Sequence, residues 1–471
     1  MPEIDAPKEE CGVVAIFSSQ LNSSRLAFFS LFALQHRGQE SAGIATSNNG
    51  IINLHTSMGL VNQVFREESL SALKGNISIG HTRYSTKGSS RLENAQPFLV
   101  TGLNGEIGLG HNGNLINAKE LRENLLRDWN CEFKTSTDSE VIAHALANAP
   151  GKNWIEKGFS LMRTLKGAFS ITALTPNSII AMRDPLGVRP LCLGKFDSGW
   201  VVASESCALD QVGATYVREI KPGEVLTICD NKVESAVWPG TKNNQQTCVF
   251  ELIYFARPDS KISDNLVYKT RVQMGAELAK QHPVDADLVI GVPDSANAAA
   301  IGYSRFSGIP FSDGLVKNRY VWRTFISPDQ QLRDLGVQQK FNPLPEILEN
   351  KRVVLVDDSI VRGTTTPRVI KLLRSAGAKE VHMRVCAPPI KWPCYFGVDM
   401  ATKKELIAAN NSIEEIRKFI GATSLGYLDI KGLLNAVTPP KKNYCTACFS
   451  GKYPIPIQLP MDKFELESSQ K

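Results

Sequence analysis

Apolar positions along this chain follow two regimes. Up to about residue 228 they form strand-length runs, at 13–17, 167–173, 179–182, 201–203 and 225–228, set among turn-rich stretches such as RDPLGVRP at 183–190. One helical pattern interrupts them, SRLAFFSLFALQHRG at 24–38, with Ser23 or Ser24 available as its cap and Gly38 after its end. Beyond residue 288, strand runs alternate with helical periodicity, as a doubly wound α/β unit requires. Strands are predicted at 288–292, 353–356 and 381–386, with a loop entering a helix at 293–303 and a helical segment near 403–419. The clearest unit is 352–378, RVVLVDDSIVRGTTTPRVIKLLRSAGA. Its apolar run predicts a strand buried on both faces, as in a parallel sheet. Pro367 suits the first turn of the next helix. Val369, Leu372, Leu373 and Ala376 share one face, and Gly377 is placed to end it.

The polar residues between that strand and that helix add chemistry. Asp357 and Asp358 end the strand, and a loop over 359–366 holds Gly363 and the hydroxyls of Ser359, Thr364, Thr365 and Thr366. Open α/β sheets bind ligands at this point. The helix N-terminus attracts phosphate, and two carboxylates suit a ribose diol, a Mg2+ ion or both. A phosphate on one side and a diol on the other describe a ribose 5-phosphate. The plainer reading is an acidic strand end before a capped helix. The whole pattern resembles the phosphoribosyl pyrophosphate (PRPP) signature of the phosphoribosyltransferases. The resemblance implies PRPP contacts from Asp357, Asp358, Ser359, Arg362, Gly363, Thr364 and Thr365.

Bulk properties narrow the class. A chain of 471 residues holds two or three domains, and 42% hydrophobic with 21% charged residues is ordinary for a globular protein. A net charge of +6 over this length makes no case for nucleic acid. No apolar run approaches membrane-spanning length, and MPEIDAPKEE lacks the basic start and apolar stretch of a signal peptide. Ten scattered cysteines point to a reducing cytosol, hence a cytoplasmic protein, rather than to a disulfide framework.

Five motifs recur in one order through the first half: CGVVAIF from Cys11, LQHRGQESAGIA at 34–45, GHTRYST at 80–86, GHNGNL at 110–115 and TDSE at 137–140. Together they resemble the class II glutamine amidotransferases, the N-terminal-nucleophile group, over Cys11 to about Pro239. Glutamine hydrolysis is acyl transfer and needs a nucleophile, a base and an oxyanion hole. The resemblance implies that residues 1–10 are a propeptide whose removal makes Cys11 the first residue. Loss of Met1 alone would leave Pro2 in that place. The Cys11 α-amino group, titrating near neutrality, then serves as base, and His36, His81 and His111 are expected to be structural. Asn112 and Gly113 match the oxyanion-hole pair, Arg83 the grip on the glutamine α-carboxylate, and Asp138 the partner of its α-ammonium. A helix N-cap at Thr137 or Asp138 is compatible with that role.

Polar residues 239–247 mark a boundary, followed by CVFELIYFARPDS at 248–260. With these segments nearly the whole chain resembles the glutamine PRPP amidotransferases. Several expectations follow. The fold is an N-terminal-nucleophile hydrolase four-layer αββα sandwich over 11–245. A type I phosphoribosyltransferase doubly wound α/β domain follows over 246–438, with a tail at 439–471. Ser295 joins Asp357 and Asp358 on Mg2+. The basic stretch 317–343 is a loop that folds over PRPP, with Lys317, Arg323 and Lys340 near its phosphates. The family usually has a glycine where this chain has Trp322, which bears on loop closure.

Cys445 and Cys448 form a CxxC in the tail. Alone it admits zinc, a redox dithiol, half of an iron–sulphur site, or nothing. No strand is expected to lead into a helix there, which argues against a thioredoxin-like role. The contexts of Cys248, Cys394, Cys445 and Cys448 resemble the subgroup that carries a [4Fe–4S] cluster; Zn2+ is the alternative at the same four residues. The implied reaction converts glutamine, PRPP and water to 5-phosphoribosylamine, glutamate and pyrophosphate. This opens de novo purine (IMP) synthesis, with purine nucleotides as feedback inhibitors and a homo-oligomer, dimer or tetramer. The rivals are another class II amidotransferase, which the PRPP stretch opposes, and a purine-responsive binding protein, which an intact Cys11 opposes.

Overall fold

The apolar run at 13–17 becomes the strand Gly12–Ser18, buried along its whole length. Its alternate side chains serve two cores. Val13, Ala15 and Phe17 meet Leu174, Ile179, Ala181, Leu226 and Ile228 of a facing sheet. Val14 and Ile16 meet Ala27 and Leu31 of the helix Ser23–Ala33. This is a computed structural model, which describes residues 11–20, 22–84, 90–242, 244–318, 341–400, 402–437 and 444–457.

The strand is central in a seven-stranded antiparallel sheet, between Gly199–Ala203 and Ile77–Arg83. A six-stranded antiparallel sheet faces it, with Gly105–Leu115 paired to Gly167–Leu174. The outer side of the second sheet is covered by the helices Ala118–Trp129, Asp138–Ala147 and Trp154–Thr164. Their Leu121, Ile142, Leu146 and Leu161 pack on Ile107, Phe169 and Ile171. Helix, sheet, sheet, helix is the expected four-layer sandwich. The first helix is capped by Asn22, not Ser23 or Ser24: Asn22 Oδ1 accepts the Ser24 N–H at 3.1 Å. It ends at Ala33, before Gly38, because His36 and Arg37 turn inward to Glu205.

The second half is built on a four-stranded parallel sheet in the order Leu288–Gly291, Arg352–Asp357, Glu380–Val385, Ser424–Tyr427. Val353 to Val356 are fully buried because helices cover both faces. Val354 and Val356 pack with Met274, Leu278 and Tyr303, while Val353 and Leu355 pack with Val369, Ile370, Leu373 and Ile416. The helical segment near 403–419 breaks into three short pieces. Ser412 and Glu415 form a capping box that starts the last, Ile413–Ile420, afresh.

Candidate active sites

Cys11 stands at the head of a central strand of the first sheet, buried, with its Sγ 3.4 Å from the Tyr84 carbonyl. Burial pushes its thiol up to about 11, against the pull of the Arg83 guanidinium. Arg83 ends the neighbouring strand Ile77–Arg83, buried, with Nη1 3.6 Å from Glu40 Oε2. The facing sheet supplies Asn112 and Gly113 from the strand Gly105–Leu115. Asn112 is buried and its Nδ2 has no hydrogen-bond partner among the described residues. Such a donor is costly unless something accepts from it. Asp138 opens the helix Asp138–Ala147, whose N-cap is Thr137, and its Oδ2 accepts the Leu115 N–H at 2.8 Å. Arg83 and Asp138 both act on the Cys11 thiol, so the expected nucleophile and glutamine-binding groups share one cleft.

Three residues of this cleft lie beyond the motif reading. Arg37 Nε donates to the Cys11 carbonyl at 3.1 Å. Its Nη groups bond Glu205 Oε1 at 2.5 Å and both oxygens of Glu251, at 2.8 and 3.0 Å, and all three side chains are fully buried. Burial alone would raise the Glu205 carboxyl, yet His36 and Arg37 hold it well below the ordinary carboxylate range. The signal was present in LQHRGQ and ELIYFARPDS, but no local pattern says that the Arg of one meets the Glu of the other.

The second cleft lies at the C-terminal ends of the parallel strands. Ser295 Oγ donates to Asp358 Oδ2 at 2.5 Å, Ser359 Oγ to Asp358 Oδ1 at 2.6 Å, and the Asp358 N–H to Asp357 Oδ1 at 2.9 Å. Burial raises the Asp358 carboxyl against these bonds and the nearby Arg271. Gly363 turns the loop at φ +71° into the helix Thr366–Ser375, which has Pro367 in its first turn. Arg362 bonds Glu405 at 2.9 Å, and Lys317 bonds Asp294 at 2.8 Å across the cleft. Arg323, Lys340 and Trp322 lie outside the described residues, as do residues 1–10.

Among the described residues, no three His, Cys, Asp or Glu side chains converge as ligands of one metal ion do. Two carboxylates and a hydroxyl still suit Mg2+, which takes few protein oxygens and keeps waters and substrate phosphates. The four cysteines do gather. Cys248 and Cys445 are register partners in a short parallel bridge, and Cys248, Cys445 and Cys394 all act on the Cys448 thiol, which burial already raises well above its usual value. The Phe396 N–H donates to Cys394 Sγ at 3.4 Å, the kind of contact that supports a metal-bound thiolate. The expectation that no strand leads into a helix around the CxxC is corrected: Tyr444–Cys445 is a two-residue strand and Ala447–Ser450 a single helical turn. That strand exists because Thr247–Cys248 pairs with it, a distant partner that local sequence does not announce. A redox dithiol needs a depressed thiol, whereas burial pushes Cys445 up to about 11.

Facing antiparallel sheets over a cysteine, joined to a parallel sheet with an acidic, hydroxyl-rich loop, make this a glutamine amidotransferase fused to a phosphoribosyltransferase. Residues 81–211 match the glutamine amidotransferase domain family and 272–402 the phosphoribosyl transferase domain family. Amidophosphoribosyltransferases of Synechococcus elongatus and Methanothermobacter thermautotrophicus are 50% and 47% identical, over 98% and 97% of this chain and 95% and 97% of theirs. A solved glutamine PRPP amidotransferase from B. subtilis, complexed with ADP and GMP, has a TM-score of 0.88 at 44% identity, covering 95% of this chain and 98% of its own. The chain belongs to the amidophosphoribosyltransferase family, enzymes of the first step of purine biosynthesis.

Proposed function

We propose that two half-reactions are divided between the two clefts. Cys11, with its α-amino group freed by removal of residues 1–10, attacks the glutamine carboxamide. Arg83 pairs with the substrate α-carboxylate and Asp138 with its α-ammonium. Asn112 Nδ2 and the Gly113 N–H take the oxyanion, ammonia leaves, and water cleaves the thioester to glutamate. The orphaned, buried Nδ2 of Asn112 carries this reading, since an arriving oxyanion is the acceptor it lacks.

PRPP is held at the second cleft. Asp357 and Asp358 take the ribose diol, and Ser359, Arg362, Gly363, Thr364, Thr365 and the helix N-terminus take the 5-phosphate. Lys317, Arg323 and Lys340 approach the pyrophosphate. Ammonia adds to the anomeric carbon, the bond to pyrophosphate breaks, and the nitrogen sheds a proton to give 5-phosphoribosylamine. Ser295, Asp357 and Asp358 would hold Mg2+, which supplies charge neutralisation at the leaving pyrophosphate. Free ammonia would protonate and escape, so a shielded passage joins the two clefts when PRPP is bound.

Cys248, Cys394, Cys445 and Cys448 would hold a [4Fe–4S] cluster in a structural role. The mutual influence of Cys248, Cys394 and Cys445 on Cys448 supports a shared site for the four thiols, with a single Zn2+ ion as the alternative. The units run over 11–245 and 246–438, with a tail to 471. Purine nucleotides act as feedback inhibitors, a reading supported by the ADP and GMP in the B. subtilis complex. The protein works in the cytoplasm as a homo-oligomer. Among the described residues no helix is long and apolar enough to cross a membrane.

Cys11→Ala tests the scheme: glutamine-dependent synthesis is abolished and ammonia-dependent synthesis survives. Loss of both would sink the two-site division. Mass spectrometry of the mature N-terminus and an absorption spectrum of anaerobically purified protein test the cleavage and the cluster.

A further inference from the structure

We propose that the segment 395–397 of the second half positions the oxyanion hole of the first. The inference rests on Asn112 and Gly113 serving as that hole. Three contacts converge from behind. The Tyr395 carbonyl accepts from Asn114 Nδ2 at 2.8 Å. The Phe396 carbonyl accepts from Arg189, from Nε at 2.9 Å and also from Nη2. Gly397, at φ +109°, lies so close that a Cβ on it would sit 3.0 Å from Arg189 Nη2 and 3.2 Å from the Gly113 carbonyl carbon.

These contacts are largely buried. Arg189 is fully buried, and Asn114 and Phe396 nearly so. Arg189 also lies 3.7 Å from Glu251, which anchors Arg37 and through it the Cys11 carbonyl. Oxyanion donors act only when held to within a fraction of an ångström of where charge develops. Gly113 has no side chain of its own to hold its peptide, and its φ of +150° is one that other residues avoid. Beyond its strand pairing with Phe169, Gly113 is braced through Asn114 next in the strand and by the second half of the chain. The segment follows directly on Cys394, whose Sγ accepts the Phe396 N–H, so the cysteine junction ties down the brace. The residues of 395–397 touch no substrate atom; they act through Gly113 and Asn114.

The test uses the full chain with PRPP present and two variants, Gly397→Ala and Asn114→Leu. Displacing the brace lowers kcat for glutamine hydrolysis by at least about tenfold, as expected for a partly lost oxyanion donor. KM for glutamine stays within about twofold, because Arg83 and Asp138 are untouched, and ammonia-dependent synthesis is likewise within about twofold. The aldehyde analogue of glutamine gives a readout that general loosening would not. The Cys11 sulphur adds to the aldehyde carbon, the thiol proton ends on the new hydroxyl, and that oxygen occupies the hole. Its inhibition weakens by about tenfold in the variants while alkylation of Cys11 by iodoacetamide keeps its rate. One variant that separates the glutamine and ammonia rates in this way sustains the inference. It is overturned if both variants keep the parent glutamine kcat, or if both lose the two rates in parallel. Absence of ammonia-dependent synthesis in the parent protein would instead remove the reading of the second cleft.

Discussion

The proposed chemistry of the first cleft turns on Asn112, whose buried Nδ2 has no hydrogen-bond partner among the described residues. Asn112→Ala removes that donor and is expected to lower glutamine kcat by about 10²–10³ while sparing ammonia-dependent synthesis, read by steady-state kinetics on both nitrogen sources. Cys11 poses a second question at this scale. Burial pushes its thiol up to about 11, so it carries its proton across the neutral range and needs a base. With the α-amino group as that base, titrating near about 7.7–8.0, kcat/KM for glutamine rises with pH through that range and levels off well below 11. A pH–rate profile still climbing through 10 would remove the amine from that role. Cys11, Arg83, Asn112 and Asp138 each sit in a short, ordered motif, which is why the sequence offers them as candidates. Arg37 sat in one of those motifs too, but its meaning lay in Glu251, 214 positions away.

The elements follow their local patterns where a single strand or helix decides the matter. The run at 353–356 is a doubly covered parallel strand, and the helix after it starts at Thr366 beside Pro367. Between them, Gly363 takes a positive φ that a side chain resists, and a Cβ there would meet Ile407 Cδ1 at 2.6 Å. Gly363→Ala is expected to cost on the order of 1–3 kcal/mol in loop conformation. It should appear as a raised KM for PRPP in ammonia-dependent assays, with glutamine hydrolysis by the first cleft retained. Patterns failed where capping chemistry outranked periodicity. Asn22 took the cap expected of a serine, and Ser412 with Glu415 restarted a helix within an apparently continuous one. The strand at Tyr444–Cys445 was illegible because it is two residues long and owes its existence to Cys248 and its neighbour.

Across the molecule, the two halves are joined by buried charge. Arg37 binds Glu205 of the first half and Glu251 at the start of the second, and Glu205 also accepts from the Arg257 N–H and Ser260 Oγ. Arg37→Met takes the guanidinium from two buried carboxylates, leaving Glu205 to His36, Ser260 and the Arg257 N–H and Glu251 to Arg189, and is expected to lower stability by about 3 kcal/mol, measured by denaturant unfolding. Glutamine hydrolysis should fall further than ammonia-dependent synthesis, because the Cys11 carbonyl loses its donor as well. The amino-acid sequence by itself determined the two sheet types, the cysteine at the head of its strand, and the acidic loop before the helix that starts at Thr366. All of these are written in residues close together, where periodicity and turn chemistry act. Only the tertiary structure decided that Arg37 meets Glu251 and that 395–397 packs against Gly113 and Asn114. Contacts between residues hundreds of positions apart depend on how whole sheets pack, and packing leaves no periodic trace in the chain.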